Sequence, residues 1–275
     1  MKALIRFLAL LVFAASLTFG LIATWTTTNI HDEDGFISAT ATIGASDEVR
    51  TQVVNVASVQ LAASTPFGPR MAARIAESTA EVFLENVDGS EFQSAWRESM
   101  RRTHRSYFGS NPPEGIVVDL APFLDVAVED SPFLSRLRLV APEQLPIRVA
   151  GTDISRAIDL VSTLAKYRVP SFVAALVAAL VALVATPRRQ LGSTVALLGG
   201  TTLGVVLIAA LAVRRASTFL VETLLSDHRD FASIIRPIGS MIVESVDALL
   251  VPVAAGGLAV AAVGILWRAL SRRQK

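Results

Sequence analysis

The stretch VPSFVAALVAALVALVATP at Val169–Pro187, followed by RRQ at Arg188–Gln190 and then LGSTVALLGGTTLGVVLIAALAV at Leu191–Val213, decides the fold. Each apolar run is free of charge and close to the roughly 20 residues that a helix needs to cross a bilayer. Pro187–Gln190 is too short for anything but a tight turn, so the two runs form an antiparallel helical hairpin. Two further runs have the same character. Phe7–Ile30, 24 residues long, follows Lys2 and Arg6, and Ala248–Trp267 lies near the C-terminus. The chain therefore reads as a four-span membrane protein. Ala14, Ala15 and Ser16 offer small residues for a signal-peptide cleavage site, but the apolar run continues through Leu17 to Trp25, which favours an uncleaved anchor.

Basic residues orient the spans. With the N-terminus inside, the inner flanks carry Lys2 and Arg6, then Arg188 and Arg189, then Arg268, Arg272, Arg273 and Lys275, as the positive-inside rule requires. Arg214 and Arg215 count against this orientation and are outnumbered. The expectation is a multi-pass protein of the plasma membrane with both termini cytoplasmic and residues 31–168 extracytoplasmic.

Composition agrees with this class. Hydrophobic residues make up 52% and charged residues 18%, with a mean hydropathy of +0.52, too apolar for an ordinary soluble domain. The net charge of +1 gives no basic field for nucleic acid, so no nucleic-acid partner is expected. Cysteine is absent, which removes disulfides, thiolate metal sites and cysteine nucleophiles together. No ionisable residue lies in the centre of a span, which argues against an ion- or proton-coupled transporter. Gly200 and Gly204 form a GxxxG pattern in the third span, and Gly257, Ala261 and Gly264 offer a similar small face in the fourth. Both suit close helix packing, within one chain or between two copies.

Between the first two spans, residues 31–168 are long enough for a core of their own. The expected fold is a small α+β domain, mostly helical. Its short three-stranded sheet comprises Phe36–Ile43 (FISATATI), Gly115–Leu120 (GIVVDL) and Leu145–Val149 (LPIRV). Helices are expected over Asp47–Ala63, Pro69–Val87 and Asp153–Tyr167, the last ending before Pro170 opens the second span. The clearest helix starts at Ser90, where Ser90 and Gln93 form a capping-box signature. Phe92, Trp96, Met100 and Tyr107 follow on one stripe, and Gly109 suits the end. The domain boundaries are 1–30 for the anchor, 31–168 for the α+β domain and 169–275 for the remaining spans, with a second outer segment at 214–247.

Few residues suggest chemistry. His31, Asp32, Glu33 and Asp34 could offer oxygens to calcium, but Phe36 and Ile37 occupy places where a calcium loop needs ligands, so a solvated linker is the preferred reading and no metal or cofactor is expected. His104 borders the apolar stripe of its helix and reads as a packed histidine bonded to a neighbour such as Asp119. No GxSxG motif supplies a nucleophile. His228, beside Asp227 and Asp230, has no ligand spacing. Arg97, Arg101, Arg102 and Arg105 form a basic stripe. It is either a solvated face or an interaction face for anionic headgroups or an acidic partner, and Arg101 could instead pair with Asp119.

The combination of Trp96, Arg101 and His104 with Val118-Asp119-Leu120-Ala121-Pro122 resembles uncharacterised actinobacterial integral membrane proteins. These join an N-terminal span to an exported domain and a C-terminal group of spans. Met100 stands where that family more often has asparagine. The resemblance implies a layout and no activity.

The functional expectation is a non-enzymatic protein of the cell envelope whose outer domain binds a partner or ligand, as an accessory subunit or sensor. Its partners would be the lipid bilayer and another membrane or envelope protein. A component of a transport or channel complex is the alternative, and an exported enzyme the third reading.

Overall fold

The computed structural model describes residues 1–64, 69–84, 90–132, 135, 144–150, 155–227 and 232–273. The chain is mostly helical and divides into two compact units. One comprises Met1–Ile30, Leu160–Thr218 and Ile242–Lys275, and the other His31–Asp159 and Phe219–Met241.

The first unit is built on four helices long and apolar enough to cross a membrane, with mean hydropathies of 2.0 to 2.4 over their most apolar windows. They are α1 (Lys2–Thr26), which ends in a π-helical turn at Thr27–His31, then α7 (Ser155–Val184), α8 (Leu191–Asp227) and α9 (Ala232–Arg273). Their outward faces carry Leu8, Leu11, Leu176, Ile208, Leu211, Leu258 and Leu266, each about half exposed or more. Such a continuous apolar surface is untenable in water and suits hydrocarbon. Inside the unit, Leu17 and Leu21 of α1 meet Val205 of α8 and Val246 and Leu250 of α9.

Pro170 lies inside α7, so the expected helix over Asp153–Tyr167 and the second span are one element, described from Ser155. The hydroxyl of Ser171, the residue after Pro170, donates to the Tyr167 carbonyl at 2.6 Å. Six residues, 185–190, ending in a 3-10 turn at Arg188–Gln190, separate α7 from α8, as a hairpin requires. This connection is tied down by the Thr186–Thr194 hydroxyl pair at 3.0 Å and by Arg6 donating to Gln190 at 2.9 Å. With 37 and 42 residues, α8 and α9 extend about 55 and 63 Å, roughly twice the hydrocarbon thickness. Much of the segment 214–247 is therefore a continuation of these helices, and Phe219–Met241 belongs to the second unit.

The second unit contains α2 (Glu33–Gly44), α3 (Asp47–Ser64), α4 (Pro69–Leu84), α5 (Ser90–Tyr107), β1 (Ile116–Asp119), α6 (Ala121–Asp130) and β2 (Pro146–Ala150). The strands pair antiparallel, with Val118 opposite Ile147 and Asp119 opposite Pro146. The sheet thus has two strands among the described residues, and the expected third, Phe36–Ile43, lies instead in α2. The Asp32 carboxylate accepts the Gly35 N–H at 2.8 Å and caps that helix, and Glu33 and Asp34 in its first turn complement the helix dipole. Ile37, Thr40, Ile43 and Gly44 are buried at helical spacing. FISATATI satisfies both a two-residue and a 3.6-residue period, and the acidic start decides between them.

The core of this unit gathers Val49, Val53 and Val54 of α3, Ile75 of α4, Phe92 and Trp96 of α5, and Phe123 and Leu124 of α6. Ile238 and Met241 of α9 pack against it. A Cβ at Gly44 would lie 2.6 Å from the indole of Trp96, so α2 approaches α5 at its last residue only because no side chain intervenes.

Candidate functional site

Helix α5 organises the second unit because its faces do different work. Its apolar face buries Phe92, Ala95, Trp96 and Met100, and the indole Nε1 donates to the Thr40 carbonyl at 3.0 Å. Gln93, read as part of a capping box, donates instead to the Gly44 carbonyl at 2.7 Å. A second face carries hydroxyls every four residues and closes the edge of β1. The Ser99 hydroxyl donates to the Asp119 carbonyl, and the Thr103 hydroxyl accepts the Asp119 N–H at 3.1 Å. Tyr107 accepts the Val117 N–H and also lies 3.0 Å from the Val117 carbonyl. Burial raises the Tyr107 phenol above its ordinary pKa, against the lowering effect of its Val117 bond. Covering an exposed strand edge with side chains prevents edge pairing with another chain. The Ser-x3-Thr-x3-Tyr spacing was the available sequence signal, and an apolar-stripe reading passes over it.

The third face is the arginine stripe, and three of its four members meet this chain's own carboxylates. Arg105 holds Glu33 in a two-pronged pair at 2.8 and 2.9 Å. Arg101 approaches Glu33 at 3.4 Å and Glu98 at 2.6 Å. Arg102 reaches Glu98 at 3.2 Å and Asp125 at 3.6 Å. Arg97 stays exposed and, among the described residues, donates to the Gln93 carbonyl at 3.3 Å. The Arg105 hydrogen bond holds Glu33 below the ordinary glutamate value. For Glu98, burial pushes upward, yet the bonds and charges of Arg101 and Arg102 bring the net shift down. Arg105 is raised in return by Glu33. Three guanidiniums against three carboxylates leave this part of the stripe neutral.

The other expected site residues take structural places. His104 is buried, with Nε2 3.1 Å from the His31 carbonyl and its ring against Phe36 and Phe108. Its neighbour is therefore His31 rather than Asp119. One Asp119 oxygen accepts the N–H groups of Ala121 at 3.0 Å and Leu145 at 2.8 Å, fixing the start of α6 and the approach to β2. In the polar run His31–Asp34, Asp32 caps α2 and Glu33 pairs with Arg101 and Arg105. Among the described residues no three histidine, aspartate or glutamate side chains converge in a way that could hold a metal ion. His228 and Asp230 lie outside the described residues.

An open cleft of about 900 Å³ lies between these elements. Arg102 and Arg105 of α5 and Asp125 of α6 supply its charged wall, with the Ser106 hydroxyl beside them. Asp119, Gln144 and Asn111 add polar groups, and Val117, Pro113 and Pro146 form apolar parts of the lining. With fixed charges of both signs beside amide groups, it can orient a polar ligand.

In the first unit the expected packing glycines divide. A Cβ at Gly264 would sit 2.3 Å from the Ala196 nitrogen, and one at Gly257 would sit 3.0 Å from Thr202, so both touch α8. Gly200 and Gly204 meet nothing within 4 Å. Their place is taken by Gly192 and Gly199, whose Cβ positions would fall 2.9 Å and 2.4 Å from backbone atoms of α9. A one-residue offset turns a helix face by about 100°, so the face that α8 turns to α9 within the chain lies beside the GxxxG pair. Comparison with protein-family models, curated proteins and solved structures found no match.

Proposed function

We propose that this chain is a non-enzymatic integral membrane protein of the cell envelope. Its second unit would be an extracytoplasmic module that binds a partner or ligand, acting as an accessory subunit or sensor. The observation that carries this reading is the 900 Å³ cleft, placed on a unit with its own core and lined by polar groups of both charges. Two further observations support it. His104, the residue best suited to acid–base work, is buried against the His31 carbonyl. The backbones of α8 and α9 are in contact through Gly192, Gly199 and Gly264, which leaves no path between those two helices and favours an anchor over a conduit.

The test is to purify the full chain in mild detergent and identify what accompanies it, beside a variant with arginines at Asn111 and Gln144. Both residues are exposed and line the cleft, so Asn111→Arg/Gln144→Arg should fill it without disturbing the core. The expected result is a stoichiometric partner or ligand retained by the unmodified chain and lost from the variant at unchanged melting temperature. Retention by the variant would rule out the cleft, and solute flux in proteoliposomes would favour the transport alternative.

A further inference from the structure

The 62 residues from Leu160 to Val221 contain six basic residues and no acidic one. They form almost the whole α7–α8 hairpin. Arg188 and Arg189 lie at its turn. Lys166 and Arg168 precede the charge-free run of α7, and Arg214 and Arg215 follow that of α8, so these four fall at the opposite end. Lys166, Arg168 and Arg215 are exposed. Arg214 pairs with Asp247 of α9 at 3.2 Å, whereas the other three have no carboxylate partner among the described residues. Tyr167 is 53% exposed between two of them. At the same end the Trp25 indole donates to Ser245 at 2.9 Å. Tyrosine and tryptophan favour the depth of the headgroups, and long basic side chains reach that depth with their stems along the hydrocarbon.

We infer that Lys166, Arg168 and Arg215 form a belt that selects anionic phospholipids in the leaflet opposite the hairpin turn. The arginines at the turn have an explanation in the rule that orients spans. Those at the other end work against that rule, and phosphate groups of anionic lipids supply the complementary charge that no described carboxylate brings to Lys166, Arg168 and Arg215. The stripe on α5 lacks this character because Glu33, Glu98 and Asp125 already neutralise most of it.

The full chain carrying Trp267→Phe, which leaves Trp25 as the reporter at this depth, is reconstituted in mixed vesicles of phosphatidylglycerol and phosphatidylcholine with one lipid brominated at a time. Trp96, 5% exposed in the core of the other unit, contributes a constant background. Quenching should report a preference for phosphatidylglycerol of roughly fivefold or more at low ionic strength. It should fall toward one in Lys166→Gln/Arg168→Gln/Arg215→Gln and persist in Arg188→Gln/Arg189→Gln. Salt near about 0.5 M should erase the preference without any substitution, which keeps the test independent of how the variant folds. Equal quenching by both lipids at low salt, or a preference that survives the triple substitution in a chain of unchanged helicity, would overturn the inference.

Discussion

Replacing Gly44 by alanine sets two magnitudes of opposite sign against each other. In an open helix this change gains about 1 kcal/mol, because alanine gives up less conformational freedom than glycine. At Gly44 the new methyl would stand 2.6 to 2.7 Å from three ring atoms of Trp96, and ordinary contact begins close to an ångström farther out. The ring cannot retreat freely. Its Nε1 is bonded to the Thr40 carbonyl, and the ring stacks on Phe92 with centroids 6.2 Å apart. Overpacking of this kind costs about 1 to 3 kcal/mol. Loss of the Thr40 bond, should the ring turn away, adds about 1 kcal/mol more. The net expectation is destabilisation by up to about 2 kcal/mol with the Thr40 bond kept and by about 1 to 3 kcal/mol if it is lost, against the sign that helix propensity alone predicts. The assay is melting of the full chain in detergent, followed by circular dichroism, in a cycle with Trp96→Leu. Once the indole is gone, Gly44→Ala should become neutral or stabilising, so the coupling should exceed about 1 kcal/mol. If Gly44→Ala stabilises the unmodified chain, or costs the same in both backgrounds, the account of how α2 docks on α5 is wrong.

Other expectations follow from the same contacts. Gly199→Val and Gly264→Val should force α8 and α9 apart and lower the melting temperature by several degrees, whereas Gly200→Val and Gly204→Val should be tolerated; equal effects would refute the assigned packing face. The pairs on Glu33 and Glu98 predict a pH dependence. Because both folded pKa values lie below the ordinary 4.5, the folded state holds fewer protons, so their contribution is complete above that value and is lost as pH falls through the folded pKa. Melting temperature should stay level from pH 7 to about 5 and fall below about 4.5. Glu33→Gln/Glu98→Gln should start lower and fall less, and a decline of the same size would show that other carboxylates set the acid limit.

The spans were the most legible part of this chain, because twenty charge-free residues leave a helix few other places to be. The helices at α3, α4 and α5 and the strands at 116–119 and 146–150 were readable from period and turn residues. FISATATI was not, since alternating threonines and alanines suit either period and the deciding signal, Asp32 as a cap, lies outside the run. The arginine stripe was visible, and so was part of its neutralisation, through Glu98 three and four residues before Arg101 and Arg102. The other partner, Glu33, is 72 residues from Arg105, and no local pattern announces a pairing across that distance. The cleft had no sequence signature because its lining comes from five separate segments. The GxxxG pattern marked the right helix, but within the chain α9 meets Gly192 and Gly199 instead, as spacing alone does not say which neighbour a small face meets.

The proposal that matters most is that the second unit lies outside the cell, on a chain whose spans turn inside at Arg188–Gln190. The absence of cysteine makes single-cysteine labelling a direct test. Ser110→Cys in the second unit and Arg189→Cys at the turn would each be exposed to a membrane-impermeant maleimide in intact cells. The account predicts that Cys at 110 labels at once and that Cys at 189 labels only after permeabilisation. Protection of position 110, or labelling of position 189 from outside, would contradict it.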